Sequence, residues 1–125
     1  IMSKDYVSKE LARKLQEKGY PLKKVYRQDE APLFYDLPQD HSDWSQCDAW
    51  YLPSIWEVLK WLREEKKLYI EIWWLTQHTT KNLKGFQFII TPMCENPQRE
   101  TDLELYCDYE TTAIKGIEYA VENVI

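Results

Sequence analysis

Glycine, histidine and paired cysteine are all scarce in this chain, and each shortage removes a class of chemistry. The three glycines, at positions 19, 85 and 116, lie too far apart to build a phosphate-cradling loop. Cys47, Cys94 and Cys107 include no Cys-x-x-Cys pair and are odd in number. That pattern argues against a disulfide framework and for reduced thiols. His41 and His78 are the only histidines, and neither has a ligand partner at zinc-site spacing. No apolar run approaches the roughly 20 residues of a membrane-spanning helix, and no stretch reads as a secretory leader. The expectation is a cytoplasmic protein with no metal, no cofactor and no membrane segment. Met2, preceded by Ile1, is expected to be the natural start.

Large rings are plentiful by contrast. Six tryptophans and nine tyrosines stand against three phenylalanines, and aromatic content is 14%. Such rings pack while keeping a polar atom for water or a partner. Apolar content of 44% over 125 residues argues against disorder and is enough for one core.

The net charge of −5 is unevenly spread. Residues 1–28 hold eight Lys/Arg against three Asp/Glu, whereas residues 29–50 hold six Asp/Glu and no Lys or Arg. An acidic whole argues against sequence-independent nucleic-acid binding, which depends on basic side chains neutralising phosphates. The converse remains open: Asp29–Asp48 and Glu95–Asp108 supply carboxylates from which a nucleic-acid mimic could be built.

The organising stretch is Pro53–Trp74, PSIWEVLKWLREEKKLYIEIWW. Ser54 and Glu57 have capping-box spacing, and Ile55, Val58, Leu59 and Leu62 form an apolar stripe. A strand follows, with Leu68, Ile70, Ile72 and Trp74 on the inner side and Tyr69, Glu71, Trp73 and Leu75 on the outer. That outer set is apolar enough to require a cover.

Upstream, a helix is expected over Val7–Lys18, capped by Ser8 and ended by Gly19, with Leu11, Ala12 and Leu15 inward. Leu22–Arg27 and Leu33–Leu37 read as a hairpin near an edge, and residues 38–52 as a long loop. Downstream, strands are expected over Gly85–Thr91 and Asp102–Asp108. In the second, Leu103, Leu105 and Cys107 point inward and Glu104 and Tyr106 outward. A last helix begins near Asp108 or Thr111, with Gly116 marking close packing.

Three blocks, YVSKELARKLQEKGY, LPSIWEVLKWLREEKKLYIEI and YETTAIKGIEYAVENVI, resemble a group of small uncharacterised proteins of Bacteroidetes bacteria, their phages and mobile elements. Together the blocks cover about half of the chain, and residues 28–52 depart most from the pattern. The resemblance implies a genomic setting and carries no catalytic residues with it.

No catalytic constellation stands out. His41, Asp43, Cys47 and Asp48 form the densest polar cluster, read as a solvated acidic loop rather than a metal site. Cys47 with His41, or Cys94 with His78, would need a base oriented toward the thiol, and nothing in the sequence orients one. From Pro53 onward the α-β-β-β-α order matches that of a double-stranded-RNA-binding domain. The start of the last helix, however, carries Asp108 and Glu110 with only Lys115.

The reading is therefore an α+β single domain spanning 1–125. It has a mainly antiparallel sheet of three to five strands and two main helices, in the order α-(ββ)-α-β-β-β-α. Its function is that of a non-enzymatic interaction protein of phage or mobile-element type, binding a protein partner or itself. The candidate interaction surface is Trp44, Trp50, Trp73 and Tyr106, because uncovered aromatics mark interfaces. The alternatives are a small enzyme with its site in the 38–52 loop, and an acidic mimic or binder of nucleic acid.

Overall fold

The computed structural model describes residues 5–24, 32–36, 48–77 and 83–125. The class is α+β. In chain order the elements are α1 (Lys9–Glu17), β1 (Leu33–Asp36), β2 (Asp48–Tyr51), α2 (Ile55–Glu65), β3 (Leu68–Gln77), β4 (Leu83–Pro92) and α3 (Tyr109–Asn123). They fall into two compact units, Ile1–Ser54 and Ile55–Ile125.

In the first unit, α1 starts and stops where its residues dictate. The Ser8 hydroxyl accepts the Leu11 amide at 3.2 Å, satisfying one of the orphan donors of the first turn. At the other end Gly19 has φ +101°, a conformation that a side chain would strain. Its amide reaches the Gln16 carbonyl, and the Tyr20 amide reaches that of Leu15. This pair of bonds is a Schellman closure, which folds buried Tyr20 back toward buried Leu15. Leu11, Ala12 and Leu15 are buried as their spacing requires.

The small sheet of this unit departs from expectation. β1 pairs antiparallel with β2, placing Phe34 opposite Trp50. The β2 residues fall inside the segment expected to be a loop. Lys24 meets Trp50 only as an isolated bridge, and the Tyr51 amide donates to the Lys23 carbonyl at 2.9 Å. β2 therefore takes the place beside β1 that Leu22–Arg27 was expected to fill; residues 25–27 of that stretch lie outside the described ones. A four-residue strand is too short to show an alternation, and the turn formers around it masked it further.

The second unit is built on the β3–β4 hairpin. The two strands pair without interruption from Leu68 opposite Pro92 to Gln77 opposite Leu83. Directly opposed residues share a face. Ile70, Ile72 and Trp74 thus stand beside Ile90, Phe88 and Phe86 on one face, and Tyr69, Glu71 and Trp73 beside Thr91, Ile89 and Gln87 on the other. The third helix, α3, packs on the first of these faces. Added at Gly116, a Cβ would lie 3.0 Å from Ile70 Cγ2 and 3.2 Å from Phe88 Cβ. The glycine is what lets helix and sheet approach, as its position suggested.

Asp108 caps α3, its carboxylate accepting the Thr111 amide at 2.7 Å. A cap of this kind contributes about 1 kcal/mol. Thr112 is fully buried and donates its hydroxyl to the Asp108 carbonyl at 2.7 Å, so its burial leaves no orphan donor. Ile55, Val58, Leu62, Leu68, Phe88, Ile90, Ala113, Ile117, Ala120 and Val121 are the buried apolar residues of this unit.

A single sheet of three to five strands is not found among the described residues: the strands form two separate two-stranded sheets. The missing member is Asp102–Asp108. Glu100 bridges Ile90 and Tyr106 bridges Phe86, but the chain between them leaves the sheet. Those bridges are four positions apart on β4 and six apart on the returning segment, so two extra residues must bulge out. Leu103 sits on that bulge with φ 64° and is 80% exposed. The side-chain phase also differs from expectation. Tyr106, opposite Phe86, shares the helix-covered face, while Leu103 and Cys107 are exposed. Backbone pairing to Phe86, not the leucine spacing, sets that phase.

Candidate interaction surface

The four aromatic residues singled out by sequence do not meet. Trp44 lies outside the described residues. Trp50 is half-buried on β2 in the first unit. Trp73 stands on the outer face of β3, 46% exposed, and its indole N–H donates to Glu71 Oε2 at 2.9 Å. Tyr106 is half-buried on the opposite face, where its hydroxyl donates to the Asp102 carboxylate.

A different set of rings is brought together. Trp74 meets Phe86 edge-on, with centroids 5.0 Å apart and an interplanar angle of 65°. Phe86 meets Tyr109 at 6.1 Å and 81°, and Tyr109 meets Trp56 at 5.9 Å and 33°. These separations are those of favourable aromatic pairs. The result is a continuous line of rings running from the hairpin through the first turn of α3 to the first turn of α2. Trp74 is 55% exposed and Trp56 48%. Alternation puts Trp74 on the correct face, but it cannot show that this ring stays open.

Beside this line lies an open pocket of about 300 Å³ lined by Trp56, Leu59, Arg63, Tyr69, Ile70 and Tyr109. Trp56, Leu59 and Arg63 are spaced three and four residues apart, so they form one stripe of α2. That stripe flanks the buried Ile55, Val58 and Leu62. Leu59, expected in the core stripe, is half-buried and lines the pocket instead. Arg63 has no hydrogen-bond or ion-pair partner among the described residues. Its neighbour Lys67 reaches the Glu64 carbonyl, and Lys66 sits 5.4 Å from the Trp61 ring centroid. The pocket thus combines aromatic and aliphatic side chains with a mostly polar exposed lining and one uncommitted guanidinium. That is chemistry for holding a planar or apolar group next to an anion.

The nucleophile and metal candidates fall largely outside the described residues. Cys94 and Cys107 are free and exposed, and each thiol–histidine pair considered above includes residues outside the described ones. Among the described residues no group of three or more His, Cys, Asp or Glu is arranged to hold a metal ion. No helix among them is long and apolar enough to cross a membrane. Most of the 38–52 segment, with His41 and Cys47, lies outside the described residues. Comparison with known proteins gives no match to a family model, a curated protein or a solved structure.

Proposed function

We propose that this chain is a non-enzymatic binding protein whose contact surface is the aromatic line and adjoining pocket of residues 55–125. A cytoplasmic accessory role of the phage or mobile-element kind fits the resemblance of its three sequence blocks. The supporting observation is the junction of Trp74, Phe86, Tyr109 and Trp56, of which both tryptophans remain about half exposed. Contiguous exposed rings are costly to leave in water, and interfaces are enriched in such residues. Trp73 and Tyr69 are exposed as well, but on the other face of the sheet. Trp44, Trp50 and Tyr106, the other sequence candidates, are secondary to it.

The test is recovery of the partner from the native host, followed by titration with the purified partner. Trp56→Ser combined with Trp74→Ser should weaken that binding by at least about tenfold, since buried tryptophans are frequent hot spots. Unchanged affinity in the double variant would place the contact elsewhere and refute the proposal. Light scattering across a concentration series checks the self-associating form of the same reading.

A further inference from the structure

The residues around the pocket are ordered along it. Trp56, in the first turn of α2, meets Tyr109 of α3 at one end. Arg63, in the last turn of α2, lies at the other, where the helix passes into β3 and Tyr69 and Ile70 follow. Leu59 stands between them on the same helix stripe. From Trp56 to Arg63 the helix rises about 10 Å. A ring-lined end and a charged end are thus separated by a short aliphatic stretch.

Arg63 is the only charged side chain of the lining, and the fold gives it no local task. The positions that face it on α2, four and three residues back, hold Leu59 and Lys60, so no acid of the preceding turn reaches it. A base near a helix C-terminus ordinarily meets the last carbonyls. Here Lys67 does so, its ammonium donating to the Glu64 carbonyl at 2.8 Å. With Lys60, Lys66 and Lys67 against Glu64 and Glu65, this end of the helix is net positive.

We infer that this pocket binds a small aromatic acid, its ring against Trp56 and Tyr109, a short linker over Leu59 and its carboxylate or phosphate on Arg63. This rests on the reading of the region as a binding surface and goes further by naming what its pocket takes. A guanidinium suits both anions, since its planar fork pairs with two oxygens at once. Rings with one or two well-placed polar groups are the usual make-up of small-molecule sites. The volume of about 300 Å³ is at the low end of their range of roughly 300–1,000 Å³, which matches a one-ring ligand. A cationic ligand would be repelled at the Arg63 end, and a neutral one would leave the guanidinium unmet.

The experiment titrates the full chain, isotope-labelled for amide spectra, with phenylpropionate and phenyl phosphate as the two anions. Phenylpropionamide, phenylpropylamine and propionate serve as controls that remove the charge, reverse it or remove the ring. At least one acid should bind saturably, with shifts at residues 56–63, 69, 70 and 109, and at least about fivefold tighter than every control. Arg63→Gln should erase that preference with the rest of the spectrum unchanged. Trp74→Ser, on the aromatic line but outside the pocket, should leave the affinity for the acid as it was. Equal binding of acid, amide and amine would overturn the inference, as would a preference that survives Arg63→Gln. Failure of both acids to bind would also overturn it; the aromatic surface would still stand if the Trp56/Trp74 double variant impaired binding of a recovered partner. Acid binding as expected, with partner affinity untouched by the double variant, would uphold the ligand and confine the fault to the aromatic line.

Discussion

The Tyr106 hydroxyl donates to the carboxylate of Asp102, four residues earlier, and so closes the bulge that carries Leu103 out of the sheet. The other oxygen of the same carboxylate accepts the Glu104 amide at 3.0 Å. Asp102 thus holds both the turn and the residue at which the chain returns to β4. The bulge is a pinned excursion between two bridges, not a failed strand.

Burial raises the Tyr106 pKa well above its ordinary value of about 10, helped by the Asp102 hydrogen bond and the charges of Asp102, Glu104 and Glu118. A folded-state pKa above the unfolded one stabilises the fold below about pH 10 and loses that contribution as pH rises further. Tyr106→Phe should cost about 1 kcal/mol at neutral pH. The advantage of wild type over the variant should stay constant to about pH 10 and then shrink. Chemical denaturation across the alkaline range checks this; a difference that never changes with pH would disprove the linkage.

Gly116→Ala sets two known effects against each other. Alanine raises helix propensity by about 1 kcal/mol. The new methyl would press on Ile70 Cγ2 at 3.0 Å and on Phe88 Cβ and Cγ at 3.2 and 3.3 Å. Phe88 is fully buried and has nowhere to go, and overpacking of this kind costs about 1–3 kcal/mol. The net expectation is a loss of about 1 kcal/mol in urea denaturation. A gain would mean that α3 can lift off the hairpin freely.

Leu103→Gly should stabilise the protein. A leucine at φ 64° carries a left-handed penalty of about 1–2 kcal/mol, and a side chain 80% exposed has little packing to lose. The expected gain is about 1 kcal/mol, read as a higher denaturation midpoint. If the midpoint falls, the leucine is making a contact that offsets its backbone strain.

Thr91 lies on the outer sheet face opposite Tyr69, and its hydroxyl is buried without a hydrogen-bond partner among the described residues. A buried hydroxyl left unpaired costs about 1–3 kcal/mol, and valine keeps the shape without that penalty. Thr91→Val should therefore raise stability by about 1 kcal/mol. A destabilised variant would show that the hydroxyl bonds to water in solution.

Several elements could be read directly from residue order. The Ser8 cap, the buried stripe of α1 and the Gly19 stop are local events within a few residues, and the structure has all three. The start of α3 near Asp108 and Gly116 as a point of close approach were legible for the same reason, although the choice of Asp108 as its cap came from the structure. β3 and β4 were legible because ten-residue strands show their alternation. β2 was not, since four residues among turn formers carry no period. Nor was the phase of Tyr106, which depends on its hydrogen bonds to Phe86, twenty positions earlier in the chain.

Residue order by itself determined the α+β class, the helix boundaries and the long hairpin, because capping, helical spacing and strand alternation act over short distances. Tertiary structure alone decided which rings meet. Trp56, Tyr69, Trp74 and Tyr109 come from two helices and one strand, and no spacing rule relates them. Their junction, and the pocket that Arg63 lines beside it, arise only when α2 and α3 are set against the hairpin. Backbone pairing and side-chain packing between distant segments, not the local code, place the surface on which function is proposed to rest.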